Sequence, residues 1–222
     1  MQRFLDILLS GLAIIVLTPF LLPIIIMLKS TGEGEVFFVQ KRVGLHGKLF
    51  DLLKFATMLK DSPNIGTGSV TLKNDPRVLP MGKFLRKTKI NELPQLLNIF
   101  LGDMSIVGPR PQTQRCFASF PLECQKKIIE VRPGLSGFGS IVFRNEEDLL
   151  SENAESVNFY DQVIAPYKGE VESWHIDHST VLVYIKVIIL TVWIVLLPNK
   201  NLIWSFFPDL PTPPDELKKF LH

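Results

Sequence analysis

Cysteine is scarce in this sequence. Cys116 and Cys124 are the only two in 222 residues, with no C-x-x-C pair and no histidine at metal spacing beside them. That excludes a disulfide framework or a cysteine zinc site and predicts two reduced, buried or half-buried thiols on a cytosol-facing chain. The four histidines are scattered; only His175 and His178 stand three apart, a spacing that predicts a surface or membrane-proximal pair rather than metal ligands. No glycine-rich phosphate loop and no G-x-S-x-G elbow occurs, which removes P-loop, dinucleotide-binding and serine-hydrolase chemistry. Charge of one sign is also lacking: 24 Lys+Arg against 22 Asp+Glu leave +2, which gives no reason to expect a nucleic-acid partner. There is no internal repeat and no low-complexity tract.

What the chain does have is apolar residues gathered into runs. Residues 7–28 contain no charge and as a helix would reach about 33 Å, enough to cross a bilayer core. Asp6 interrupts the start and no small-residue cleavage site follows Leu28, so a signal peptide fits badly. A simple span and a re-entrant helix-break-helix are both open. The second is favoured by Pro19 and Pro23, by Thr18 placed to satisfy a freed carbonyl, and by basic flanks on both sides (Arg3; Lys29, Lys41, Arg42). Residues 181–197, broken only by Lys186, are short for a span. They predict an interfacial helix with Lys186 snorkelling and Trp193 near the headgroups. Trp204, Phe206 and Phe207 lie among prolines 208, 211, 213 and 214, which reads equally as an interfacial tail or as a disordered one with a few anchors.

Between these runs, residues 35–40 (EVFFVQ) and 48–55 predict a hairpin around Gly44, His46 and Gly47. Residues 62–73 predict a loop, 81–89 a basic helix, 122–131 a helix, and 146–163 an acidic helix. Asn91 as N-cap, Pro94 in the first turn and Gly102 as stop predict a helix over 92–101. Its N-terminus follows Lys83, Arg86, Lys87 and Lys89, a setting for an anion. Arginine recurs beside proline or glycine at Arg77, Arg110 and Arg132. Planar forks held by rigid backbone suit a diphosphate.

The ordered blocks KRVG (41–44), KFATM (54–58), DPRVLPMGKFLRKTKINELPQLLN (75–98), GDMSIVGPRP (102–111) and VRPGLSG (131–137) resemble the bacterial sugar transferases, the monotopic phosphoglycosyl transferases. The resemblance covers residues 1–140 well and the rest loosely. It implies an α/β, mostly helical fold: a small catalytic domain (31–170) on a re-entrant membrane helix (1–30), with an interfacial membrane-associated helix and tail (171–222). It implies transfer of a sugar-1-phosphate from a UDP-sugar to polyprenyl phosphate with release of UMP, assisted by Mg2+. The setting would be the cytoplasmic face of the bacterial inner membrane, and a homo-oligomer is left open. The Thr18-Pro19 pair matches the family's Ser-Pro break.

Residue by residue, Glu92 matches the acidic partner of an Asp-Glu dyad and the magnesium ligand. Arg86 and Arg110 match basic residues near the donor phosphates, Lys54 matches the lysine of the KF block, and Asp103 matches a family acid. Arg77 and Arg132 join the phosphate-binding candidates. The nucleophilic aspartate falls on Asn91, an isosteric amide that is uncharged and a poor nucleophile toward phosphorus. Three readings follow: an active subfamily using another acid (Glu92, then Asp103) or direct transfer, an inactivated variant, or a non-catalytic relative. The first is favoured because the other matched residues are kept. Ala56, residues 137–140 and Arg144-Asn145 also depart from the pattern and leave the sugar open.

Overall fold

The computed structural model describes residues 1–65, 75–150, 156–197 and 202–221. Most of the expected 62–73 loop, residues 151–155 of the expected acidic helix, and His222 lie outside the described residues.

The chain begins with one long helix, α1 (Gln2–Ser30). It carries Pro19 and Pro23 inside it without interruption, where a break was expected. The Thr18 hydroxyl donates to the Ile14 carbonyl at 2.6 Å, a local bond that helps an apolar helix tolerate the missing amides. The antiparallel hairpin follows: β1 (Phe37–Val43) pairs with β2 (Leu49–Phe55) from Phe37↔Phe55 to Val43↔Leu49. β1 starts two residues later than expected and runs on through Lys41 and Arg42. Strand period puts Gln40, Arg42, Leu52 and Lys54 on one face, and that face turns inward.

Helix α2 (Pro80–Lys87) is capped by Thr88 and followed by Lys89, a non-glycine residue at φ 61°. That left-handed residue reverses the chain into a single 3-10 turn, Ile90–Glu92, ahead of α3 (Gln95–Leu101). The expected N-cap at Asn91 is therefore corrected. Asn91 is buried inside the 3-10 turn, its side chain caps nothing, and α3 starts after Pro94. Gly102 does end α3, at φ 110°. Asn98 ties α3 to the hairpin: its side chain receives the Leu53 amide at 3.0 Å and donates to the Asp51 carbonyl at 2.8 Å.

Two short parallel strands, β3 (Ser105–Val107) and β4 (Gly134–Ser136), enclose helices α4 (Gln114–Ala118) and α5 (Leu122–Ile128). The strands meet at glycines because the backbones touch: a Cβ on Gly134 would overlap Gly108, and one on Gly137 would overlap the Gly108 carbonyl. Helices α6 (Phe138–Val142), α7 (Glu146–Leu150) and α8 (Ser156–Phe159) come next, then a π-helical stretch, Tyr160–Ile164, leading into α9 (Ala165–Asp177). Helices α10 (Val181–Leu196), α11 (Leu202–Phe206) and α12 (Asp215–Leu221) complete the chain.

The largest apolar core runs from Val107 and Phe138 through Ile164 and Val171 to Val187, Ile203, Leu210 and Leu217. α9 thus passes through residue 170, and both sides of that position share one core. Part of the tail packs into this core: Phe207 lies edge-on against Phe138 at 4.7 Å between ring centroids and Leu217 is fully buried, while Phe206 stays exposed. Both cysteines are free and buried, as expected.

α1 is fastened to this body along its length. Arg3 donates to the Ile99 and Phe100 carbonyls, and Gln2 to Ser105 Oγ and the Val107 carbonyl. Asp6, 2% exposed, accepts through Oδ1 from Ser105 Oγ (2.9 Å), the Ile106 amide (2.9 Å) and Tyr184 Oη (2.8 Å). Ala13, Ile14 and Leu17 pack on Leu96 and Ile99, and Leu28 is buried with Phe55 and Leu85. The other side of α1 is bare: Phe4, Leu8, Leu12, Ile15, Val16, Phe20 and Ile26 are exposed. Leu97, Phe100 and Leu101 on α3 and Leu182, Ile189, Val192 and Trp193 on α10 are exposed as well. Apolar exposure on this scale marks a membrane or partner surface.

Candidate functional site

The 3-10 turn and the inward hairpin face bring one carboxylate among several cations. Glu92 Oε1 lies 3.0 Å from Arg110 Nη2 and 3.8 Å from Lys54 Nζ. Arg42, on the same strand face as Lys54, donates to the Pro111 carbonyl (3.1 Å) and to Gln40 Oε1 (2.5 Å), while its buried Nε has no partner. Arg42, Lys54, Gln95 and Arg110 line one cleft. Arg86, at the end of α2, adds its charge to the field at Lys54.

The electrostatics follow from burial plus unequal numbers. Burial alone would raise the Glu92 carboxyl, but Arg110, Lys54 and Lys89 hold it well below the usual carboxylate range. Lys54 is pushed down to about 7, first by burial and then by Arg42, Arg110 and Arg86, against the pull of Glu92. Arg42 is lowered to about 10 by burial and by Arg110. One carboxylate thus stands among Arg110, Arg42, Arg86, Lys89 and a Lys54 that is only part-ionised near neutrality, and the surplus positive charge suits a bound anion carrying two or more negative charges.

Asn91 is 5% exposed, and its Oδ1 is buried without a hydrogen-bond partner. Leaving such an oxygen unpaired costs about 1–3 kcal/mol, which a ligand donor or cation would recover. Among the described residues no group of three or more His, Cys, Asp or Glu side chains forms a metal cage. The oxygens here that could serve a magnesium ion are the Glu92 carboxylate and the orphan Asn91 Oδ1, with phosphates and water supplying most of its ligands.

The structure does not gather every expected residue. Arg77 is buried and committed elsewhere: Asp75 pairs with it through two oxygens, and its Nη1 donates to the Ser62 and Ile65 carbonyls at 2.8 Å each. It braces the backbone around Ser62 instead of presenting a fork to the cleft. Asp103 is exposed beyond the C-terminus of α3, about 10 Å of helix away from Glu92, where Asn98 reaches it at 3.3 Å. Arg132 is at that same far end, donating from Nε to the Gly102 carbonyl at 2.9 Å. His175 is corrected too: it is buried, under the Phe138 ring at 4.9 Å, and only His178 lies at the surface.

Two residues went unread. Arg42 was legible as a charge on the inward face of a strand. Glu172, 1% exposed on α9, accepts the Arg110 backbone amide at 2.9 Å. Lys168, Glu172 and His175, spaced i, i+4, i+7, resemble a solvated helix stripe, and only the helices packed around them show that they face inward.

A cation-rich anion site seated on an apolar platform is the class of protein that this geometry defines. Comparison with known proteins narrows it: the bacterial sugar transferase model matches residues 1–198, and the chain belongs to that family. A UDP-glucose:undecaprenyl-phosphate glucose-1-phosphate transferase of Klebsiella pneumoniae is 36% identical over 161 residues, 71% of this chain and 34% of that protein. The exopolysaccharide production protein ExoY of Sinorhizobium fredii is 30% identical over 197 residues, 82% of each chain. The galactosyl transferase CpsE of Streptococcus agalactiae is 33% identical over 213 residues, 88% of this chain and 42% of that protein. The chain therefore spans about a third of the Klebsiella relative and most of ExoY.

Proposed function

We propose that this protein transfers a hexose-1-phosphate from a UDP-sugar to undecaprenyl phosphate and releases UMP, at the start of a surface-glycan assembly. The observation that carries the reading is the Glu92 cluster: one carboxylate among Lys54, Arg42, Arg86 and Arg110, in a chain of this family. Phosphoryl transfer depends mainly on positioning and charge neutralisation, which this cluster is built to supply. Arg110 and Lys54 bind the donor's phosphates, with Arg42 and Arg86 completing the positive field. Glu92, with Asn91 Oδ1, would hold a magnesium ion alongside those phosphates. Such an ion, when bound, neutralises charge on the departing UMP.

Asn91 and Glu92 decide the route. Asn91 is an amide, and Glu92 is engaged by two cations. Asp103, at the far end of α3, is withdrawn as nucleophile. The favoured route is direct: an oxygen of the lipid phosphate attacks the donor's β-phosphorus, the bond to the bridging oxygen breaks, and UMP leaves with that oxygen. No proton changes hands between ionised phosphates.

The lipid acceptor requires a site at headgroup height. α1 meets the same domain at its first residues and at Leu28, which supports both of its ends lying on one face of the inner membrane, with the cleft on the cytoplasmic side; without a break in the helix, a bend at Pro19 and Pro23 would have to turn it back. α10, about 24 Å long with bare Leu182, Ile189 and Trp193, suits the interface.

The test is UMP release from UDP-glucose, UDP-galactose and related donors with undecaprenyl phosphate and Mg2+ in nanodiscs, for the unaltered chain and Asn91→Asp. Release by the unaltered chain, with no covalent sugar-phosphate adduct by mass spectrometry, supports direct transfer. Release only by Asn91→Asp would favour a second reading that Asn91 itself suggests, a silent relative that binds donor or lipid phosphate. Silence from both would sink the transferase reading.

A further inference from the structure

The segment Gly108-Pro109-Arg110-Pro111 holds a single backbone donor between Gly108 and Gln112, because neither proline has an amide hydrogen. That donor, the Arg110 amide, goes to Glu172 Oε1 at 2.9 Å. Glu172 comes from α9, 62 residues away in sequence, and is 1% exposed. The Gly139 amide, at the start of α6, points to the same carboxylate, and a Cβ on Gly139 would overlap Oε1. One side chain therefore joins the Pro109–Pro111 turn to the first turn of α6. The next residue, Ser140, places its Oγ 3.5 Å from Arg110 Nη1, and Glu92 takes Nη2. Arg110 is thus fixed at its backbone by Glu172 and at both ends of its fork by Ser140 and Glu92.

A carboxyl in this place is an expensive way to satisfy an amide. It is 1% exposed, and its second oxygen has no hydrogen-bond partner. A backbone carbonyl or a glutamine would accept the same bond. What Glu172 supplies is reach: from the middle of a buried helix it meets two loops at one point.

We infer that Glu172 is a positioning residue for the donor's diphosphate, holding Arg110 and the Gly139-Ser140 turn in the single arrangement that aims the Arg110 fork into the cleft. This rests on the transferase reading above. The function lies in the position of Oε1, not in negative charge. Around the carboxyl stand Arg110, Lys168 and His175; Lys168 is itself paired with Glu146 at 2.7 Å. Burial pushes Glu172 up to about 7, so it is often neutral at physiological pH with Oε1 still free to accept.

Two substitutions separate reach from charge. Glu172→Asp keeps the charge and withdraws the oxygen by one methylene; Glu172→Gln keeps the oxygen and removes the charge. Gly139→Ala forces the carboxyl off its seat from the other side. In nanodiscs, kcat for UMP release is expected to fall about 100-fold in Glu172→Asp and Gly139→Ala, in line with a displacement near 1 Å, with a smaller rise in donor KM. Glu172→Gln is expected to stay close to the unaltered chain. Equal kcat in Glu172→Asp and the unaltered chain, or a loss in Glu172→Gln as large as in Glu172→Asp, would overturn the inference. Thermal unfolding of each variant separates loss of position from loss of fold. UDP affinity by calorimetry is the second readout. If no donor is turned over by the unaltered chain, the functional reading fails alone. UDP binding weakened in Glu172→Asp and Gly139→Ala but not in Glu172→Gln then still supports the positioning role, and equal UDP binding in all four overturns it.

Discussion

Two glutamates flank Arg110, both deeply placed, and their surroundings push them in opposite directions. Glu92 meets Arg110 and Lys54 at its carboxylate and is held well below the usual range. Glu172 meets Arg110 only through the backbone and is raised to about 7 by burial. Depth is common to both; the difference is contact: Arg110 and Lys54 reach the Glu92 carboxylate with their charged ends, while Glu172 is met by the Arg110 and Gly139 amides, with the charges of Lys168 and Arg110 acting on it less strongly than burial. The first is therefore an electrostatic element of the cleft and the second a mechanical one beneath it.

That contrast can be broken most sharply at Glu92. Glu92→Gln takes from Lys54 and Arg110 the carboxylate they share and is expected to lower UMP release about 1000-fold. Thermal or denaturant unfolding should show a loss of about 3 kcal/mol, since breaking a largely buried pair strands the remaining charges. Turnover unchanged in Glu92→Gln would remove Glu92 as an essential group. Arg110→Lys comes next. It keeps a charge near Glu92 but loses the planar fork, so turnover should drop about 100-fold while stability moves by about 1 kcal/mol.

A subtler break uses pH. Glu172 is raised from 4.5 to about 7, so between those values the unfolded chain ionises it and the fold does not. Its contribution to stability is therefore lost as pH rises through that window. His175 is lowered from 6.5 to about 4 by burial, so its contribution is lost as pH falls through that one. Where the windows overlap, the two opposed slopes cancel, and this pair adds little pH dependence from about 4.5 to 6.5. Glu172→Gln removes one half. Its stability relative to the unaltered chain should then climb with pH across that range, as melting at a series of pH values would show; parallel curves would mean the two side chains are not both neutral in the fold. The smallest effect is expected at Asp103→Asn, exposed at the far end of α3: turnover within about 2-fold and stability within about 0.5 kcal/mol.

The hairpin, the basic helix and the stop at Gly102 were legible because alternation, charge and a glycine are local signals. The start of α3 was not, because Lys89 takes a positive φ that sequence does not advertise and turns Asn91 inward instead of leaving it as a cap. Glu92, Lys54, Arg86 and Arg110 emerged as site candidates from their chemistry and from the family resemblance. Arg77 and Arg132 carried the same Arg-Pro signal, yet one braces a loop and the other caps a carbonyl. An arginine next to proline is rigid; what it is rigidly held against is decided by chain segments far away. His175 was expected at the surface and Glu172 went unread for the same reason, since helical spacing gives a face but not its direction.

Asp6 carries a further consequence, for biosynthesis. It precedes its partners in the chain: those that satisfy its Oδ1 are separated from it by 99, 100 and 178 positions. Until they are made, a carboxyl near the head of a long apolar helix has none of these donors. Until Ser105 and Ile106 arrive, that end of the helix is kept at the water boundary; Tyr184 then closes the joint when α10 is made. The joint at Asp6 is thus complete only once α10 is made, so a variant lacking α10 would keep the Ser105 and Ile106 donors and lose the Tyr184 one.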